Sequence, residues 1–175
     1  MRKHLILLIS IISIHNSFSQ NVSLDEAISL RKKGLAEVEE YLTSKNWSLI
    51  SAEDPKDDEM GIANFAFEKS SYNDRAQAFM TYYYSSHSGR TRLDLQVHKK
   101  DIYTGYINRL KALGCKLIKS KIEDNKIIKV YRGKTTTIEI SVATQKDSFG
   151  STETAYHFFI TENEDSINDE YNFEE

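Results

Sequence analysis

Tyr41-Leu42-Thr43-Ser44-Lys45-Asn46-Trp47-Ser48-Leu49-Ile50 and, further along the chain, Arg109-Leu110-Lys111-Ala112-Leu113-Gly114-Cys115-Lys116-Leu117-Ile118 follow one scheme: the end of a helix, a turn and the start of a strand. Upstream of the first decapeptide, Ser23 to Lys45 places Leu24, Ile28, Leu35, Val38 and Leu42 on one helical face. Ser23 is a candidate N-cap, with Glu26 three residues on to complete a capping box. Gly34 lies inside this run and costs about 1 kcal/mol relative to Ala, which predicts a kink or break there. Downstream lie four strand-like segments, at 47–52, 62–68, 76–85 and 91–98, the first two separated by the turn that holds Pro55, the only proline. In the fourth, Leu93, Leu95 and Val97 alternate with Arg92, Asp94, Gln96 and His98, as in a sheet with one buried and one solvated face.

Around the second decapeptide the pattern restarts. Asp101 is a candidate cap for a shorter helix in which Tyr103, Tyr106, Ile107, Leu110 and Leu113 share a face, and Gly114 stands where a helix end wants a left-handed residue. Four strands are predicted again, at 115–122, 126–132, 135–144 and 154–161, joined by hairpin signals at Glu123-Asp124-Asn125, Gly133-Lys134 and Asp147-Ser148-Phe149-Gly150. The reading is a tandem duplication. The expected fold is α+β, with two tandem helix-plus-four-stranded-antiparallel-sheet units, 20–98 and 99–161, forming one domain. This order of elements resembles the tandem repeat of the β-lactamase inhibitor protein. The resemblance implies a concave sheet that grips a protein target.

The first residues predict export. Met1-Arg2-Lys3, the apolar run from Leu5 to Ile12, and the small residues Ser17 and Ser19 have the three-part layout of a secretory signal peptide, with cleavage expected after Ser19. Ser10, Ser13, His15 and Asn16 interrupt the run before the roughly 20 apolar residues that a membrane span needs. The leader resembles those of Bacteroidota proteins, so the expected location is periplasmic or secreted. No cysteine near the cleavage site could take a lipid, and Cys115, the only cysteine, has no partner within the chain for a disulfide.

Charge is unevenly distributed. Residues 20–98 carry nine basic and thirteen acidic side chains, 99–146 carry twelve and four, and 147–175 carry none and nine. A basic middle followed by acid indicates either pairing within the chain or a basic surface offered to an acidic partner. The segment 162–175 is expected to be a disordered acidic tail.

The sequence offers no constellation for catalysis or cofactor binding. His87, His98 and His157 stand apart, Cys115 has no cysteine partner, and the glycines are too scattered to cradle a phosphate. The acidic pairs Glu39-Glu40 and Asp57-Asp58 read as a helix face and a turn. A non-catalytic module without cofactor or metal is expected, and nucleic acid is excluded by export together with net negative charge.

What remains is a solvated sheet face. With Ile138, Ile140, Val142, Tyr156, Phe158 and Ile160 inward, Glu139, His157 and Phe159 point outward. Ile128 and Val130 are taken as inward, which puts Lys129 and Tyr131 outside. With Arg92, Asp94, Gln96 and His98 they make the expected partner-binding set, mixing aromatics with charge as protein-binding surfaces do. The leading expectation is an inhibitor or immunity-type protein with an unknown protein partner. The alternative is an envelope module that binds an anionic glycan or lipid head group through its basic second half.

Overall fold

In a computed structural model, which describes residues 22–57, 59–73, 75–146 and 152–165, the chain forms three helices and eight strands. The expected signal peptide lies outside the described residues, as do the turn at 147–150 and the segment 166–175. Ser23 caps the first helix (α1, Leu24–Leu30) with both bonds of the capping box: Glu26 N donates to Ser23 Oγ and Ser23 N to Glu26 Oε2. The predicted break falls just before Gly34, which caps α2 (Leu35–Ser44). Two hydroxyls hold this break, Tyr82 donating to the Lys33 carbonyl and Thr91 to the Arg31 carbonyl. The third helix (α3, Lys100–Ala112) starts from Lys99 as N-cap rather than Asp101, whose carboxylate instead accepts from the amide of Ile102.

The strands are β1 (Trp47–Glu53), β2 (Gly61–Phe67), β3 (Ala78–Tyr84), β4 (Thr91–Val97), β5 (Lys116–Glu123), β6 (Lys126–Arg132), β7 (Thr136–Lys146) and β8 (Thr152–Glu162). They form one antiparallel sheet in the order β1-β2-β3-β4-β8-β7-β6-β5. This corrects the expected fold class. The chain is not two helix-plus-four-strand units. It is a single eight-stranded sheet with a few short helices on one side. The cause is the pairing of β4 with β8, Leu93 opposite Ile160, Leu95 opposite Phe158 and Val97 opposite Tyr156. Each of those strands would otherwise be an edge with unpaired amides, and pairing them fuses the two halves.

The core is likewise continuous. Leu24, Leu30, Val38 and Leu42 from α1 and α2 and Tyr106 and Leu110 from α3 pack on one sheet face. That face carries Phe65, Met80, Leu95, Phe158, Ile140 and Ile138. Tyr103 stacks on Tyr156 with ring centroids 4.4 Å apart, and Tyr106 meets Phe158 edge-on at 5.1 Å. Each fully buried large apolar side chain here contributes about 1.5–3 kcal/mol. The two decapeptides occupy opposite ends of the sheet. Asn46 and Gly114 both have positive φ, and β1 and β5 each carry a bulge that sets one extra residue, Ile50 and Ile118, out of register. Residues 162–165 are part of the folded structure. Glu162 ends β8, residues 163–165 are helical, and Asn163 Nδ2 donates to the carbonyls of Gly133 and Lys134.

Candidate functional site

Because side chains alternate across a strand, the ladder assigns every strand residue to the helix-covered face or the open face. Arg92, Asp94 and Gln96 lie on the open face of β4, and His157 and Phe159 on that of β8. Glu139 lies on the open face of β7, opposite Phe159. His98 follows β4 on the same side, where Gln96 Nε2 donates to its Nε2 at 3.2 Å and its Nδ1 faces Glu153 Oε1 at 3.3 Å.

Lys129 and Tyr131 are not part of this face. They pair with Ile140 and Ile138 and point toward the helices. Tyr131 is buried in the core, and Ile128 and Val130 take the open side beside Ser141 and Glu139. The segment Lys126-Ile127-Ile128-Lys129-Val130-Tyr131-Arg132 has apolar residues in both alternating sets. Pattern alone therefore could not choose the register, and the fit of Tyr131 against Ile138 did.

At the middle of the open face, three neighbouring strands place Asp94, Phe159 and Glu139 side by side, with Gln96, His157 and Ser141 in the adjacent row. A shallow cavity of about 210 Å³ opens there, lined by Asp94, Lys126, Glu139, Ser141, Ala143, His157 and Phe159. His157 Nδ1 donates to Asp94 Oδ2 at 3.1 Å, while Asp94 Oδ1 is shut off from solvent and has no hydrogen-bond partner among the described residues. Tyr83 meets Phe159 edge-on at 6.1 Å. Burial first, and then the Asp94 charge, push the Tyr83 phenol above its usual pKa. Of these residues, Lys126 and Ala143 are not expected on this face from the sequence, whereas Ser141 and one of Tyr82, Tyr83 and Tyr84 are. The alternation that exposes Glu139 also exposes Ser141 and Ala143, whereas Lys126 was hidden by the inverted register.

Asp94, His157 and Ser141 form a row with a superficial likeness to a hydrolytic triad. No hydrogen bond joins Ser141 to His157 among the described residues, and the strand amides here are paired within the ladder. Cys115 packs beside Gly133, and burial pushes its thiol pKa up, which lowers the thiolate fraction a nucleophile needs. Among the described residues no three His, Cys, Asp or Glu side chains are grouped to hold a metal ion, and no helix is long and apolar enough to cross a membrane.

The open face also collects charge toward one end. Lys116, Lys119 and Lys121 of β5 and Lys126 and Arg132 of β6 all lie on it by register. Comparison of the chain with protein-family models, with curated proteins and with solved structures finds no match to any of them.

Proposed function

We propose that this protein is an exported, non-catalytic binding module of the inhibitor or immunity type, which holds one protein partner against its open sheet face. The observation that supports this most directly is the one-sidedness of the sheet. The core packs α1, α2 and α3 on the face of Leu93, Leu95 and Val97, and no described helix covers the face of Asp94, His157 and Phe159. A rigid ladder presenting aromatic rings around a small cavity with polar walls has the makeup of an interface hot spot. Phe159 would be the apolar anchor, with the carboxylates of Asp94 and Glu139 on either side to select a partner by charge.

The test is capture from the native envelope and culture fluid by the chain from Gln20 to Glu175, beside a variant carrying Phe159→Ala and His157→Ala. The expected result is one protein retained by the first bait, bound one-to-one once purified, and weakened about tenfold or more by the double substitution. Equal capture by both baits would sink the open-face reading. A second reading, an anionic glycan or lipid head group as ligand, is favoured by the shared placement of Lys116, Lys119, Lys121, Lys126 and Arg132. It calls for affinity that falls steeply with salt.

A further inference from the structure

The two ends of the sheet differ on the helix-covered side. At the β1 end, the neighbouring row Ala63, Phe65 and Phe67 is buried. At the β5 end Tyr131 is buried, but the side chains outside it are not. Ile122 is 79% exposed, and its cross-strand neighbour Ile127, together with Leu113, Leu117 and Ile118, is between 42% and 51% exposed. Ile122 and Ile127 form a cross-strand pair near the hairpin turn, and Leu117 and the bulge residue Ile118 lie at the other end of β5. The two positions are spaced about 16 Å apart along the strand and separated by the Ser120–Lys129 pair. The opposite side of the same hairpin is basic. It carries Lys116, Lys119, Lys121, Lys126 and Arg132 against one carboxylate, Glu123, which is held by Lys121 at 2.8 Å.

Lysines on an edge strand also block strand addition. That accounts for the charge on β5 and leaves the apolar side chains unexplained. The other edge makes the contrast plain, since Leu49 and Ile50 are exposed there as well, but β1 carries no basic residue. Apolar side chains on one side of an element and lysines on the other form the pattern that lies flat in a lipid interface, with the ammonium groups reaching to head groups.

We infer that the β5–β6 hairpin docks this protein on an anionic membrane surface, with Ile122, Ile127, Leu117 and Ile118 entering the head-group boundary and the flanking lysines meeting lipid phosphates. The inference rests on the anionic-ligand reading for its charge and goes beyond it in the apolar contact, which lies on the other side of the sheet from the protein-binding cavity.

The chain from Gln20 carries the whole core, Val22 to Ile160, and is the form to use, with circular dichroism confirming that each variant is folded. Its sedimentation with phosphatidylglycerol-containing vesicles is compared with that of pure phosphatidylcholine vesicles. The expected result is selective binding to the anionic vesicles. Binding should weaken about tenfold or more in the Ile122→Glu, Ile127→Glu variant, fall on raising salt from about 0.05 to 0.5 M, and not change in a Leu49→Glu, Ile50→Glu control. Absence of binding to anionic vesicles would overturn the inference. Binding that ignores Ile122→Glu and Ile127→Glu would overturn it too, while leaving charge-driven ligand binding standing. A dimer in light scattering that those same substitutions dissociate would assign the apolar surface to a second copy instead.

Discussion

Truncating Tyr131 and truncating Phe159 should have opposite consequences, because the register puts them on opposite faces of the sheet. Tyr131 is 7% exposed, lies against Ile138 and belongs to the continuous core. Removing a buried aromatic ring forfeits its transfer free energy and leaves a cavity, about 3 kcal/mol for Tyr131→Ala. In a domain of this size that lowers Tm by about 6–12 °C. Phe159 is only partly buried, with Tyr83 as its aromatic neighbour, so Phe159→Ala should cost about 1 kcal/mol or less. Trp47, the sole tryptophan and buried, reports unfolding in urea by fluorescence, with near-constant m-values supporting a direct comparison. In binding, the order reverses: Phe159→Ala impairs capture of the partner, and Tyr131→Ala does so only to the extent that it unfolds the chain. A stable Tyr131→Ala protein beside a strongly destabilised Phe159→Ala protein would refute the register and the choice of face together.

Two further predictions concern the helices. Burial opposes ionisation of Glu26, but hydrogen bonds from Lys45 at 2.6 Å and Tyr41 at 2.5 Å outweigh it and hold the carboxyl at about 2, below the usual 4.5. A depressed folded pKa stabilises above the unfolded value and is lost as pH falls through the folded one. Urea titrations of Glu26→Gln should therefore show a stability curve flatter by about 1–2 kcal/mol between pH 4.5 and 2, after allowance for solvent screening; an unchanged curve would dismiss the cluster. Arg31, with its side chain 2% exposed, bonds Glu162 Oε1 at 3.0 Å. Glu162→Ala strands a buried charge and should cost about 1–3 kcal/mol, most of it recovered when Arg31→Leu is added. A double variant no more stable than the single one would contradict this.

Local structure was legible in the sequence, and joining the strands was not. The capping box at Ser23, the break at Gly34 and the alternation of Leu93, Leu95 and Val97 are short-range signals, and each appears in the structure. The pairing of β4 with β8 is long-range. It depends on which exposed edges find each other, and nothing in either strand taken alone announces it. The candidate face shows the same division. Asp94 and Gln96 followed from clean alternation and His157 and Phe159 from burying the more apolar of two sets in the last strand, whereas Lys129 and Tyr131 were misplaced because β6 is apolar in both phases. Lys99 displaced Asp101 as the helix cap although a carboxylate is the better capping group, so local preference gave way there to where β4 ends.

The most direct test of an open-face interface is photo-cross-linking in the native envelope, with a photoreactive phenylalanine analogue in place of Tyr83, and, as control, in place of Tyr72. Tyr83 sits beside Phe159 on the open face, and Tyr72 lies in a loop at 97% exposure. One discrete adduct of a single protein from the Tyr83 position, absent from the Tyr72 position, is the predicted result. Equal adducts from both positions, or none from Tyr83, would contradict it.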